Sequence, residues 1–373
     1  MDNHLHIVTH DVPWPADFGG VVDLFYKIKA LHNLGVHIHL HCFTSGRGEQ
    51  KMLNKYCASV RYYPRKKGLP GFSFRVPYIV QSRSDKNLLK ELNKDNYPIL
   101  LEGIHCTFFL QTDALINRKV FVRLHNIEYK YYQQLAKNET NFIRKIYFTL
   151  ESRLLKKYER KLAKKAIFWA VSQQDIYTYK KELQATQVHF MPVFLPWDTV
   201  SSLIGKGPFC LYHGNLSINE NEKAADWLLK KVFNDINIPF VIAGKAPSAQ
   251  LRKLGDAHPH TCIVVDPSEP EMQDLVKKAQ VNIIPSFNKT GIKLKLLNAL
   301  YNGRHCLVNQ AAVAGSGMEQ HCVTATSAAA FKTEIKKLFK ENFSEEEIRQ
   351  REAGLKEIYN ADENARKLIA WIY

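Results

Sequence analysis

One stretch, Pro285–Gln310, constrains the fold of this 373-residue chain more than any other. It follows a short apolar run, Val281–Ile284, which is typical of a buried strand. Gly291 then interrupts the pattern, and apolar residues recur at helical spacing as far as Gly303. His305–Val308 has the composition of another strand. The order of strand, glycine turn, helix and strand predicts α/β architecture with parallel strands.

The turn at Gly291 also predicts an anion site. A helix that begins after a strand presents free N–H groups and the positive end of its dipole to the preceding loop. Lys289, Lys293 and Lys295 crowd this helix start, and their charges oppose the dipole unless they meet an anion. The alternative is a solvated helix face without a ligand, which is common for clusters of charge.

The overall charge favours anionic partners. Lysine and arginine exceed aspartate and glutamate by 16 charges, and 45% of the residues are hydrophobic, as in ordinary globular proteins. A basic balance of this size suits phosphorylated ligands, an acidic membrane surface or nucleic acid. The chain has no zinc-finger spacing and no aromatic strand typical of nucleic-acid modules, so we expect no nucleic-acid partner.

The distribution of cysteines and the hydropathy of the sequence indicate where in the cell the protein acts. The seven cysteines are scattered, which predicts reduced thiols in the cytoplasm and neither disulfides nor a metal site. No apolar run reaches the roughly 18–20 residues that cross a bilayer. Any membrane contact is therefore expected to be peripheral.

The chain opens with a βαβ unit. His4–Thr9 and Val36–Phe43 are predicted strands, and the helix Val21–Leu34 lies between them. Gly19 and Gly20 end the loop before this helix, where an anion or a sugar could approach the backbone closely. The alternative is that these two glycines only form a tight turn.

Polar residues follow two further predicted strands, Ile99–Glu102 and Lys119–Leu124. Ligands of open α/β sheets bind at the carboxyl ends of the strands, so polar residues in this position favour a site. The residues in question are Glu102, His105, Arg123, His125, Asn126 and Glu128.

Two segments of the first half favour contact with an anionic membrane surface. Arg65–Tyr78 places basic residues beside Phe72 and Phe74 in a loop, although these aromatics could instead fold back into the core. Asn141–Lys165 is a predicted helix with an apolar stripe and a basic face, whose alternative is a solvated surface. The stripe comprises Ile146, Leu150, Leu154, Tyr158 and Leu162.

The two prolines of Met191–Asp198 mark a predicted domain boundary, after which the α/β rhythm restarts. We therefore predict an N-terminal domain over 1–195 and a C-terminal domain over 205–360, both doubly wound and facing each other across a cleft. Gly214 and Asn215 follow one strand of the second domain, and Lys245 follows the next. They too lie at predicted carboxyl ends.

Seven motifs, in this order, give the chain a family resemblance. It resembles the GT-B glycosyltransferases, in particular glycosyltransferase family 4 of the bacterial surface-polysaccharide type, over nearly its whole length. The motifs are HDVPWPADFGG, LLEGIH, RLHNIEYKYY, AVSQQD, LYHGNLSINENEKAADWL, VIAGKAPS and GIKLKLLNALYNGRHCLVN.

The resemblance implies a retaining hexosyltransferase that moves a sugar from a nucleotide-sugar donor to a glycan or lipid-linked acceptor. It implies no metal and no other cofactor. The diphosphate would lie at the helix start after Gly291, with Lys293 or Lys295 as its cationic partner, and His125 would lie beside the transferred sugar. The terminal segment, 361–373, would return to the N-terminal domain as a helix. The donor-binding residues are then Gly214, Asn215, Lys245, Thr290, Gly291, Ile292, Lys293 and Asn298, with Gly19, Gly20, Glu102, His105, Asn126 and Glu128 on the acceptor side of the cleft.

The chain departs from the family pattern at two positions. Members of that family commonly carry two glutamates eight residues apart, and the aligned positions of this chain are Thr290 and Asn298. Asn298 can still bond a ribose hydroxyl as a neutral partner, but Thr290 cannot act as a carboxylate. Two alternatives to a transferase therefore stay open. One is a non-catalytic partner subunit, and the other is a nucleotide-sugar epimerase using Glu102 and Glu128 as acid and base.

Overall fold

The computed structural model describes residues 2–17, 19–288 and 290–373. It divides into two compact units. Unit 1 runs to Pro196 and resumes at Tyr359, and unit 2 is Trp197–Ile358. The division between Pro196 and Trp197 falls inside the proline-containing segment Met191–Asp198 that the sequence marks as a boundary.

Unit 1 contains a parallel seven-stranded sheet with the strand order β3-β2-β1-β4-β5-β6-β7. The order reverses direction at β1, which is the topology of a doubly wound sheet. Its strands are β1 His4–Thr9, β2 His37–Thr44, β3 Ser59–Pro64, β4 Ile99–Glu102, β5 Val120–Leu124, β6 Ile167–Ala170 and β7 Val188–Phe190.

The helices of unit 1 cover both faces of this sheet. Along β4, Ile99 and Leu101 belong to one buried cluster and Leu100 to the other, because successive side chains of a strand point to opposite faces. The helices are α1 Gly19–Asn33, α2 Tyr78–Gln81, α3 Lys86–Leu92, α4 Phe108–Gln111, α5 Glu128–Asn138, α6 Phe142–Leu162 and α7 Gln173–Lys181.

Unit 2 contains a second parallel sheet, of six strands in the order β10-β9-β8-β11-β12-β13. Its strands are β8 Cys210–Asn215, β9 Phe240–Lys245, β10 Thr261–Val265, β11 Val281–Ile284, β12 His305–Val308 and β13 Val323–Thr324. Its helices are α8 Asn219–Trp227, α9 Ala249–Asp256, α10 Glu269–Lys278, α11 Leu294–Asn302, α12 Gln310–Val313, α13 Ala328–Leu338 and α14 Glu345–Tyr359, of which α8 continues into a π-helical turn at Leu228–Val232. The predicted fold class of two doubly wound α/β domains is confirmed.

The last helix, α15 Ala361–Ile372, packs on α1 in unit 1. Leu368 and Ile372 are buried in the same cluster as Leu24 and Ile28 of α1. The hydroxyl of Tyr373 donates to the carbonyl oxygen of His4 over 2.8 Å. The C-terminal helix therefore belongs to the N-terminal fold, as the resemblance implies.

Two local expectations and one alternative were wrong. The helix α1 begins at Gly19, so Gly19 and Gly20 form its first turn and are not part of the preceding loop. The packed face of α6 includes Leu155, Tyr158 and Leu162, whereas the predicted stripe residues Ile146 and Leu150 are exposed. The reason is the position of these residues around the helix axis. Leu155 is buried, one residue after the predicted Leu154, so the buried side of α6 is rotated relative to the predicted stripe. The alternative for Arg65–Tyr78, that its aromatics fold back into the core, is wrong as well, since Phe72 and Phe74 are exposed.

No helix within the described ranges combines the length and the apolar composition that crossing a bilayer requires. All seven cysteines are free thiols.

Candidate functional site

Unit 1 brings Glu102 and His125 together at the carboxyl ends of neighbouring strands. Glu102 is the last residue of β4, and His125 directly follows β5. The two strands pair in parallel with Glu102 beside Arg123, which sets the two side chains at one edge of the sheet. The Nε2 of His125 lies 3.0 Å from Oε2 of Glu102, and the imidazole ring is mostly buried.

A buried network of charges supports this pair from α1. Lys27 Nζ lies 2.8 Å from Glu102 Oε1 and 3.3 Å from Asp23 Oδ2. Arg123 donates to both oxygens of Asp23 over 3.1 Å. Burial opposes ionisation of Glu102, yet the Lys27 ammonium and the hydrogen bond from His125 hold its pKa below the usual value. The network thus keeps a carboxylate charged behind His125.

Three ligand atoms of the kind that bind divalent metals also meet here. Oxygen atoms of Asp23 and Glu102 and a ring nitrogen of His125 lie within 4.8 Å of one another. However, Lys27 and Arg123 already neutralise the two carboxylates through direct contacts. The charges of these four side chains already cancel, and a divalent cation would add positive charge to them. Asp23, Glu102 and His125 therefore fit an ion-pair network better than a metal centre.

His10 and His105 extend the site beyond Glu102. Their rings stack at 5.0 Å, and His10 lies edge-on to His125 at 5.9 Å. Burial lowers the pKa of His10 to about 3, and the neighbouring His125 and Arg83 reinforce that shift. Burial also lowers the pKa of His105 well below its usual value. The Nδ1 atoms of both rings are buried and have no hydrogen-bond partner among the residues that the structure describes. The side chains of His10 and His105 are therefore neutral imidazoles, and the Nδ1 atom of each can still form a hydrogen bond with a ligand.

Glu128 and Asn126 lie on the same edge of unit 1. Glu128 is buried at the first position of α5, and burial raises its pKa to about 8. A carboxyl group with that pKa is mostly protonated at neutral pH and can donate a proton. Asn126 is half-buried in the turn between β5 and α5. At the start of α1, Gly19 is exposed and Gly20 is half-buried.

In unit 2 the carboxyl ends of β8 and β9 approach very closely. Gly214 pairs with Gly244, and Asn215 with Lys245. A Cβ atom on Gly244 would lie 1.9 Å from the carbonyl oxygen of Gly214, so only glycine fits there. Lys245 and Asn215 are exposed beside this junction.

The start of α11 follows a tight turn. The hydroxyl and the N–H of Thr290 both donate to Asn288 Oδ1 over 2.9 Å. Gly291 has a φ of 64°, a left-handed conformation that favours glycine. Lys293 precedes the first helical residue and donates to the carbonyl oxygen of Thr290 over 2.7 Å. Ile292 is half-buried between them, and Lys289 lies outside the described residues.

Lys295 is held in the first turn of α11. Its Nζ donates to Asn221 Oδ1 over 3.3 Å and lies 4.9 Å from the centre of the Tyr212 ring. Asn221 in turn donates to the backbone oxygen of Asn215 over 2.9 Å, which ties α8 to the end of β8. Burial lowers the pKa of Lys295 to about 8, although Glu220 favours its charged form. An anion placed at this ammonium would therefore be bound with little competition from water.

One predicted donor-side position, Asn298, makes packing contacts within unit 2. Asn298 is buried in α11, and its side-chain oxygen accepts a hydrogen bond from Asn302 over 2.8 Å. A hydrogen bond between Asn298 and a ribose hydroxyl stays a prediction. The side-chain oxygen of Asn298 already accepts the hydrogen bond from Asn302 within the helix.

Several site residues were missed from the sequence. Asp23 and Lys27 are four residues apart on the buried side of α1, and a charged pair within an apolar helical pattern is the signal that could have found them. His10, Glu220 and Asn221 stand inside motifs that carry the family resemblance but were not singled out. His213 ends the buried run of β8 with an unpartnered Nε2 and has a pKa lowered to about 3 by burial and then by Lys295.

Comparison with solved structures identifies the architecture. The sucrose-phosphate synthase of Thermosynechococcus elongatus matches 99% of this chain and 98% of its own, with a TM-score of 0.73 and 14% identity. A glycosyltransferase from Rickettsia africae matches 100% and 98% with a TM-score of 0.66 and 13% identity. The chain has the GT-B fold.

Two further comparisons concern the sequence of this GT-B protein. Residues 207–341, within unit 2, match the family model described as glycosyl transferases group 1. An uncharacterized 44.6 kDa protein in the cps region of Klebsiella pneumoniae is 27% identical over 318 residues, which is 79% of this chain and 80% of that protein. The predicted resemblance to GT-B glycosyltransferases is confirmed, and membership of family 4 stays a prediction.

Proposed function

We propose that this GT-B protein is a retaining, metal-independent glycosyltransferase. It would move a sugar from a nucleotide-sugar donor to a glycan or lipid-linked acceptor in the synthesis of a surface polysaccharide or glycolipid. The match to glycosyl transferases group 1 and the fold support sugar transfer. The relative in a Klebsiella cps region supports the surface-polysaccharide role.

The observation that carries the proposal is the setting of Lys295. This lysine lies at the start of α11, its ammonium is desolvated, and its pKa is lowered to about 8. A desolvated cation beside free helical N–H groups favours binding of a diphosphate. Cleavage of a sugar–phosphate bond leaves negative charge on the diphosphate. A cation fixed in advance would stabilise that charge in the transition state.

Unit 1 would serve the sugar and its acceptor. His125 is fixed by its hydrogen bond to Glu102, and we propose that it contacts the transferred sugar. His10 and His105 offer unpartnered Nδ1 atoms for hydroxyl groups of the acceptor. Burial raises the pKa of Glu128 to about 8, whereas the pKa values of Glu102 and Asp23 are lowered, so Glu128 is the carboxyl group of these three that can donate a proton. The protein would act in the cytoplasm at the inner face of the membrane, where lipid-linked acceptors are found.

The test is a panel of nucleotide sugars offered to the wild type and to Lys295→Ala. Thermal shift measures donor binding, and slow release of nucleoside diphosphate measures turnover. We expect one donor to stabilise the wild type and to be hydrolysed slowly, and both effects to be lost in the variant. Lys253→Ala, an exposed lysine on α9, is the matched control and should behave as the wild type.

The second candidate is a non-catalytic partner subunit. It is favoured by Thr290, whose hydroxyl is committed to Asn288, and by Asn298, whose oxygen is bonded to Asn302. Neither supplies the carboxylate that the family pattern has at these positions. A wild-type protein that melts cooperatively, yet neither binds nor hydrolyses any donor, would favour this second function.

A further inference from the structure

An exposed apolar surface on unit 1 lies on residues that the candidate site does not use. It consists of segment 65–78 and the first half of α6, and we name it the apolar–basic tip. Leu69 and Phe74 are 87% and 89% exposed, and Phe142 and Ile143 are 75% and 77% exposed. Large apolar side chains grouped in this way on a protein surface mark an interaction site.

The two segments of the tip touch each other. The N–H of Tyr78, at the end of segment 65–78, donates to the Glu151 carboxylate in the middle of α6. The guanidinium of Arg65 lies over the Tyr78 ring at 5.4 Å. The rings of Phe72 and Phe74 contact each other edge-on at 4.9 Å. Segment 65–78 is therefore anchored to the middle of α6 by its last residue, Tyr78.

The exposed apolar residues of α6 share one side of the helix. At about 100° per residue, Phe142, Ile146 and Leu150 lie within roughly a quarter of a turn of one another, and Ile143 lies close beside Leu150. The buried residues Leu155, Tyr158 and Leu162 occupy the opposite side. These apolar side chains thus face away from the core of unit 1.

After Leu150, the same exposed side of α6 carries basic residues. Arg153, Lys157 and Arg160 are exposed there, and Lys67 and Arg75 are exposed on segment 65–78. The carboxyl groups of α6 belong to Glu151 and Glu159, which are both buried, and segment 65–78 contains no acidic residue. The nearest acidic residue before the helix is Glu139, which accepts from the N–H groups of Thr140 and Asn141.

We propose that the apolar–basic tip docks on an anionic lipid bilayer. The aromatic and aliphatic side chains would enter the interfacial layer, and the basic side chains would meet lipid phosphates. An anionic bilayer offers both the negative charge and the apolar interior that this surface requires. A second copy of this chain carries the same net charge of +16, so charge does not favour pairing of two tips. This inference deepens the membrane location of the proposed function, but its test needs no sugar transfer.

The test is flotation of the full chain with vesicles of phosphatidylcholine alone or mixed with phosphatidylglycerol. We expect the wild type to float with the anionic vesicles, to stay behind with the neutral ones, and to bind more weakly at high salt. The triple variant Phe74→Ser/Phe142→Ser/Ile143→Ser should bind anionic vesicles roughly tenfold or more weakly. Its control is Ile116→Ser, an equally exposed apolar residue elsewhere in unit 1, which should bind as the wild type.

A second pair of variants tests the charges. Arg153→Glu/Lys157→Glu should weaken binding by roughly fivefold or more per residue, because each basic side chain near the surface adds to the attraction. Arg252→Glu/Lys253→Glu, on α9 of unit 2, changes the net charge equally and should retain most of the binding.

Two results would overturn the proposal. One is equal flotation of the triple variant and the wild type. The other is a wild type that forms dimers by sedimentation velocity without vesicles and loses them in the triple variant. Thermal shift with the donor panel separates this outcome from the proposed function, since donor binding to unit 2 should be the same in all tip variants.

Discussion

His125 and Glu102 share a 3.0 Å hydrogen bond at the ends of two adjacent strands. The other oxygen of Glu102 meets the ammonium of Lys27 at 2.8 Å, so this carboxylate is bonded on both sides. A histidine bonded in this way is fixed in orientation before any substrate binds. The predictions below begin from this pair.

Replacing Glu102 by glutamine should destabilise unit 1. The substitution keeps the shape of the side chain but removes the charge that faces buried Lys27. Breaking one side of a buried ion pair costs roughly 3 kcal/mol, and urea unfolding of the variant should show it. Glu91→Gln is the control, since its pair with largely exposed Lys94 should contribute less than about 1 kcal/mol. Equal effects of the two substitutions would contradict a buried network.

Acid should destabilise the fold through its buried histidines. Burial lowers the pKa of His10, His41 and His213 to about 3, below the value of an unfolded chain. The unfolded state therefore binds more protons below about pH 6.5, and stability falls as the pH falls from there towards 3. Each such histidine should cost up to about 2 kcal/mol at pH 5, measured by urea unfolding at pH 7 and pH 5.

Two histidine variants check the source of that acid effect. His41→Gln removes one titrating group that bonds Tyr63 and His6 over 2.9 Å, and the loss of stability between pH 7 and 5 should become smaller. His32→Gln changes an exposed histidine and should leave the loss unchanged. A His41 variant with an unaltered pH dependence would count against the explanation.

Binding of a nucleoside diphosphate should weaken at alkaline pH. The pKa of Lys295 is lowered to about 8 by burial, so the ammonium loses its proton as the pH rises through that value. If only the charged form binds, affinity should fall roughly tenfold between pH 7 and 9. Calorimetric titration with a panel of nucleoside diphosphates measures this change. Lys295→Arg keeps its charge and should bind with affinity that varies little over the same range; a parallel fall in both proteins would show that another group titrates.

Gly244→Ala should damage the end of the sheet in unit 2. The new methyl group would lie 1.9 Å from the Gly214 carbonyl oxygen, and neither backbone can move without breaking the pairing of β8 and β9. We expect a loss of roughly 2–4 kcal/mol in thermal or urea unfolding and weaker donor binding. Gly48→Ala should be close to neutral, because no described residue other than Gly48 and its two chain neighbours has an atom within 4 Å of the new carbon. A stable Gly244 variant would show that the strand ends can separate.

The sequence alone determined the architecture of both units. Mostly apolar runs predicted β1, β4 and β12 at their observed bounds, because burial of both sheet faces requires continuous apolar strands. The carboxyl ends of those strands then indicated Glu102, His125 and the start of α11 as candidate positions, since topology fixes where parallel strands end.

The tertiary structure decided which side chains meet and which face water. Asp23 and Lys27 join Arg123 and Glu102 only because α1 packs against the ends of β4 and β5, and these contacts join residues 100 and 75 positions apart. Likewise, the helical period placed apolar residues along α6, but only the docking of α5 and segment 65–78 left Ile146 and Leu150 exposed. A pattern along the chain gives the direction of a side chain relative to its own element, whereas its partners depend on how distant elements pack.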